Sequence, residues 1–248
     1  MKRWADSVFD PQPLSPLPLP AEIVCRVLAP LVLDTRMDRI TRAVESRSLS
    51  VISVIESLSD PHNAAAILRT CDALGVHEVH AIEAQSQVRL THRVSKGVEK
   101  WMRLQRHSTP AECAKTLRDR GYKLYVADMR ADITLEQIAQ QPQVALAFGN
   151  EHAGISDELM ACADGAFCIP MTGMVESFNV SVAAGIALFA ATRNRPGNLS
   201  PSERAELRAR FLMESIRGAE HVLERAAKAI ARGEDPSATI AAISQEIQ

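Results

Sequence analysis

Three short polar loops hold the side chains of this chain that could do chemistry. The first is Asp60-Pro61-His62-Asn63, with Arg69 further along the same segment. The second is Gly149-Asn150-Glu151-His152-Ala153-Gly154, and the third runs from Thr172 to Asn179 and carries Glu176, Ser177 and Asn179. Each follows an apolar, strand-like run and precedes a helix-like one. In open α/β sheets, ligands bind at that edge, where loops and helix N-termini converge. Taken singly, each group has a plainer role. Asn63 reads as a helix N-cap, and Ser177 and Asn179 as caps of the helix that follows. Gly149 and Gly154 read as turn glycines, and Glu151 as a solvated loop carboxylate. Arg69 falls off the apolar stripe of Ile67, Leu68, Cys71 and Leu74, which reads as a solvated arginine.

Other chemistries find no support. The chain has no GxSxG, P-loop, HExxH or GxGxxG signature. Its five cysteines (Cys25, Cys71, Cys113, Cys162 and Cys168) form no CxxC pair, so neither a disulfide framework nor a zinc site is expected. The seven histidines are scattered, and His77 and His80 read as edge or surface positions of a strand.

A basic run covers residues 89–107, RLTHRVSKGVEKWMRLQRH. It holds Arg89, Arg93, Lys96, Lys100, Arg103 and Arg106 against one acid, Glu99, with Trp101 as a possible stacking surface. A charge run is most simply a solvated face. Together with a basic N-terminal segment containing Arg36, Arg39, Arg42 and Arg47, it also offers a phosphate-binding surface. The 248 residues are 46% hydrophobic and 23% charged with a net charge of −2, so only a local patch could bind nucleic acid. Aromatic content of 4% argues against a base-stacking platform. No apolar run reaches the ~20 residues that span a bilayer, and no signal core follows Met1-Lys2-Arg3-Trp4. A reduced, cytoplasmic protein is expected.

The elements that must position these loops alternate. Strands are expected at Val51–Ile55, Val76–Ile82, Tyr122–Ala127, Val144–Phe148 and in the run Ala166–Met171. Helices are expected at Ala64–Leu74, Ala111–Arg120, Ile155–Ala163 and from Val180 onward. That order predicts an α/β fold, a mostly parallel sheet with helices on both faces. Residues 11–20 are half proline and read as an extended strap. Thr35 is a candidate N-cap for a short basic helix. Ser200-Pro201-Ser202-Glu203 has the pattern of a capped helix start, and the charged tail beyond it reads as amphipathic helices. Three segments follow: 1–48, an N-terminal proline-rich strap and basic helix; 49–195, the sheet domain; and 196–248, a helical extension.

PHNAAAILRTCDALGVHEVH, LAFGNEHAGIS and CIPMTGMVESFNVSVAAGIALFAATR together resemble, in order and separation, the three motifs of the SpoU/TrmH branch of the SPOUT RNA methyltransferases. Within that branch the chain looks most like the enzymes that methylate guanosine-18 of tRNA. The resemblance implies a deep trefoil knot, S-adenosylmethionine (SAM) as cofactor with no metal, tRNA as substrate, and a homodimer. It assigns the catalytic set to Asn63, Arg69, Glu151, Ser177 and Asn179. It assigns cofactor contacts to Ala127, Gly149, Asn150, Glu151, His152, Ala153, Ile169, Met171 and Phe178. RNA contacts fall to Arg36, Arg39, Arg89, Arg93, Lys96, Lys100 and Arg103. His152 stands where the family commonly has lysine. A second reading is 2′-O-methylation of ribosomal RNA or of another tRNA nucleotide. A third is a catalytically weak RNA-binding or assembly protein.

Overall fold

The computed structural model describes residues 16–82 and 97–236. Arg89, Arg93 and Lys96, and the first half of the proline-rich strap, lie outside them. Two compact units divide the described residues, one at 48–196 and the other formed by 16–47 with 197–236.

The first unit is a sheet of six strands. They are β1 (Ser48–Glu56), β2 (Val76–Ile82), β3 (Arg103–His107), β4 (Lys123–Ala127), β5 (Val144–Phe148) and β6 (Gly165–Phe167). Their order is β3-β2-β1-β5-β4-β6 and every pairing is parallel. A parallel sheet is covered on both faces, so its central strands carry apolar residues at nearly every position. In β5, Val144, Leu146 and Phe148 enter one core with Ile55, Ile67, Leu68 and Leu188. Ala145 and Ala147 enter the other, with Ile52, Val54, Leu117, Leu124 and Leu159.

The helices of this unit are α3 (Pro61–Ala73), α4 (Pro110–Asp119), α5 (Leu135–Ala139), α6 (Asp157–Cys162) and α7 (Val180–Thr192). α3 starts where Asp60 accepts from the backbone N–H of His62 (2.8 Å) and Pro61 supplies a pre-set first turn. It ends at Gly75, whose φ of 75° carries the chain into β2. α7 is apolar on almost every side, and α3 and α5 pack against it.

Several expectations shift. β3 lies inside the basic run, where its two arginines concealed it; it is an edge strand, and charge suits an edge. The run Ala166–Met171 pairs only over β6, because Pro170 cannot extend the ladder. His80 is fully buried rather than at an edge or surface.

The second unit is helical. α1 (Ala21–Leu28) and α2 (Asp34–Ser46) come from the front of the chain, α8 (Pro201–Ser215) and α9 (Ala219–Ala231) from the back. α1 packs on α8 and α9, and α2 on α8. Ser200 and Glu203 complete the capping box expected from their spacing. Thr35 is no cap: α2 begins at Asp34, with Leu33 in the cap position. A side chain at Gly197 would stand 1.8 Å from the Glu45 carbonyl, so only glycine lets the returning backbone pass. Among the described residues, no helix is long and apolar enough to cross a membrane.

Candidate active site

The strand order reverses beside β1, which lies between β2 and β5, and the loops after β1 and β5 meet at that crevice. The loop after β5 closes on itself. Asn150 and Gly154 exchange two backbone hydrogen bonds of 2.9 Å. The Asn150 side chain accepts from the N–H groups of His152 (2.9 Å) and Ala153 (3.0 Å) and donates to the Ser57 carbonyl at 2.7 Å. A Cβ on Gly149 would lie 2.2 Å from the Gly154 carbonyl oxygen, so the closure requires glycine there.

This closed loop presents Glu151 to the loop after β1. Its Oε2 accepts from the backbone N–H (2.9 Å) and hydroxyl (2.7 Å) of Ser59. Its Oε1 accepts from the Asp60 N–H (3.2 Å) and from Asn63 Nδ2 (2.8 Å). Burial opposes ionisation, but the donors on Asn63 and Ser59 outweigh it and hold the carboxyl at about 2. Glu151 is thus an ionised clamp between two loops, not a solvated side chain.

Asn63 is buried in the first turn of α3, and it does not cap that helix, since Asp60 does. Its amide instead faces two ways, donating to Glu151 and accepting at Oδ1 from Asn179 Nδ2 (3.1 Å). Asn179 keeps the capping role expected of it, accepting from the N–H of Ser181 at the start of α7. One hydrogen-bonded chain therefore joins the loops after β1, β5 and β6.

Two members of the expected catalytic set stand outside that chain. Ser177 is exposed in the third loop. Arg69 is exposed on α3, about 9 Å along the helix and about 120° around it from Asn63. It makes no hydrogen bond or ion pair with a described residue. Ser59 was missed by sequence reasoning; the signal was its place just before the Asp60-Pro61 helix start.

The residues expected at the cofactor come from the carboxyl ends of neighbouring strands. Ala127 ends β4, the Gly149–Ala153 loop follows β5, and Ile169, Met171 and Phe178 follow β6. Among the described residues, the backbone of 169–178 makes no internal hydrogen bond. Open backbone donors and acceptors beside apolar side chains suit an adenosine and a methionine chain, so the residues fit SAM. Of the expected RNA contacts, Arg103 is exposed at the start of edge strand β3 and Lys100 in the short turn just before it. In the helical unit, Arg39 is exposed and Arg36 donates to Ser215 Oγ at 3.1 Å.

Residues 50–189 match the SpoU rRNA Methylase family. The tRNA (guanosine(18)-2′-O)-methyltransferase of Thermus thermophilus is 40% identical over 163 residues, 65% of this chain and 84% of that protein. The crystal structure of the A. aeolicus TrmH/SpoU tRNA modifying enzyme aligns with a TM-score of 0.66 at 28% identity, covering 74% of this chain and 98% of that one. The SpoU methyltransferase AviRb from Streptomyces viridochromogenes, crystallised with AdoMet, aligns at 0.55 and 26% identity, over 62% and 61%.

Proposed function

The chain belongs to the SpoU rRNA Methylase family, and on that premise we propose that it methylates the ribose 2′-hydroxyl of guanosine-18 in tRNA. The observation that carries this reading is the Glu151–Asn63–Asn179 chain, which ties together the three loops that hold the family's motifs. SAM, when bound, supplies an electrophilic methyl group on a sulfonium.

The chain's own residues have two tasks, alignment and proton handling. Ala127, Ile169, Met171 and Phe178 enclose the cofactor and exclude water, and the open backbone of 169–178 holds its polar edges. Glu151 fixes the loop that closes over it. Arg69 binds the phosphate next to the acceptor ribose and polarises the 2′-hydroxyl. A guanidinium, which keeps its proton in proteins, is a better orienting donor than a resting base. Asn63, Ser177 and Asn179 position the loops around the acceptor. The chain threads into the knot of its family between β6 and α7.

A homodimer completes the site. α7 is apolar on almost every side, yet Val182 (48%) and Phe189 (55%) are exposed on it, and Met174 (99%) and Val175 stand exposed in the loop before it. A helix this apolar needs cover on its exposed side as well. A second copy supplies that cover and brings RNA phosphate to the exposed Arg69. Lys100, Arg103 and Arg39 extend the phosphate contacts, in an enzyme of the cytoplasm. Methylation of total RNA with labelled SAM, followed by mapping of the modified nucleotide, tests the reading. Label at guanosine-18 of tRNA is the expected result, and label in ribosomal RNA or on a base overturns it.

A further inference from the structure

Away from that site, between β2, β3 and α4, the apolar core holds a chain of polar groups that the methyl transfer does not use. Arg120 donates to both oxygens of Glu78 (2.5 and 2.9 Å), and Glu78 Oε1 pairs with His80 Nε2 at 2.7 Å. His80 Nδ1 lies 2.9 Å from His107 Nε2 and 3.8 Å from Cys113 Sγ. The two imidazoles stack with centroids 4.9 Å apart. Their three potential ligand atoms all fall within 4.8 Å of one another, and all three residues are buried.

We propose that His80, His107 and Cys113 bind one divalent metal ion of the zinc type. The argument begins with the tautomers. An ionised Glu78 requires the His80 proton on Nε2, which leaves a lone pair on Nδ1 directed at His107 and Cys113. Without a metal, His107 must donate from Nε2 to that lone pair. Its own Nδ1 is then bare, and it is buried with no hydrogen-bond partner. Glu112 Oε1 lies 3.8 Å from it, an acceptor that cannot satisfy another acceptor.

A metal ion resolves the mismatch. His80 Nδ1 and His107 Nε2 both become ligands, the Cys113 thiol gives up its proton to solvent, and the His107 proton moves to Nδ1, facing Glu112. Each imidazole then has a carboxylate behind it, Glu78 for His80 and Glu112 for His107, the arrangement that orients histidine ligands in zinc sites. Tetrahedral zinc, with Zn–N of about 2.0 Å and Zn–S of about 2.3 Å, needs ligand separations of about 3.3 Å between nitrogens and about 3.6 Å from nitrogen to sulfur. The His80–His107 and His80–Cys113 separations of 2.9 and 3.8 Å lie within a few tenths of an ångström of those; the third, His107 to Cys113, falls within 4.8 Å, and metal binding draws the thiolate inward to close it. Two imidazoles and one thiolate favour zinc over magnesium or calcium. Glu112, 51% exposed, marks the side from which an ion would enter.

The test uses cobalt, because zinc has no visible spectrum. The full-length protein, stripped with a chelator, is titrated with Co²⁺. The expected result is uptake of one equivalent with a thiolate-to-cobalt charge-transfer band, displaced by Zn²⁺. In Cys113→Ala, with unchanged circular dichroism, the band is lost while the other four cysteines remain. In Glu112→Gln, whose change is at the surface, Co²⁺ affinity falls about tenfold or more. Absence of the band in the parent protein overturns the proposal. A band that persists in Cys113→Ala also does so, because it assigns the metal to other thiols.

Discussion

Asn179 Nδ2 donates to Asn63 Oδ1 at 3.1 Å, while Asn63 Nδ2 donates to Glu151 at 2.8 Å. The Asn63 amide is the joint, because it gives to Glu151 and accepts from Asn179. Aspartate cannot replace it: the donor to Glu151 would become a second carboxylate. Asn63→Asp is expected to destabilise the fold by about 1–3 kcal/mol in urea unfolding and to lower kcat by at least about tenfold. A variant with parental kcat would remove this joint from the site.

The Glu151 clamp has a pH signature. Its folded carboxyl titrates at about 2 against the ordinary 4.5, so its contribution is present above 4.5 and disappears as pH falls toward 2. Glu151→Gln should therefore melt lower than the parent at about pH 6, and the gap should narrow below 4.5 and close as pH falls through about 2. A gap independent of pH would mean that the charge is immaterial.

Arg69→Ala is expected to reduce methyl transfer by about 10²-fold or more while SAM affinity, read by calorimetry, stays at the parental level. Arg69→Lys keeps the charge but not the two-pronged donor and should recover only part of the rate. Parental turnover in Arg69→Ala would leave that arginine a surface residue.

Gly149→Ala forces a methyl group against the Gly154 carbonyl at 2.2 Å, backbone that cannot step aside without opening the loop. SAM affinity should fall by about tenfold or more, with a smaller loss in melting temperature. Unchanged affinity would place the cofactor elsewhere.

Phe189→Glu sets a charge on the exposed apolar side of α7. Sedimentation velocity should find the parent as a dimer and this variant shifted toward monomer. A parent that sediments as a monomer would require another cover for that helix.

Much of this was legible in the sequence, for identifiable reasons. β2 and β5 appear at their expected bounds, because strands buried on both faces read as unbroken apolar runs ended by turn residues. The capping box at Ser200 was equally plain. What escaped depended on partners far along the chain. Asn63 looks like a cap because capping is local, whereas Glu151 and Asn179 lie 88 and 116 positions away. His80 looks exposed because histidine on a strand usually is, and only Glu78, His107 and Cys113 around it make its burial tolerable. β3 was hidden by arginines at an edge strand.

The parallel order of the sheet also sets a timetable. Val51 of β1 pairs with Val144 of β5, and no strand between them can take that place. At about 5–20 residues per second, a ribosome needs about 5–20 s to deliver that partner. The front helices α1 and α2 wait longer still, since the α8 against which they pack begins only at Pro201. Helices α1 and α2, made before the sheet, are thus covered only after it. A nascent chain of this protein keeps the apolar faces of α1 and α2 open until Pro201 and the helix after it emerge, and that is a natural target for chaperones that attend the ribosome exit.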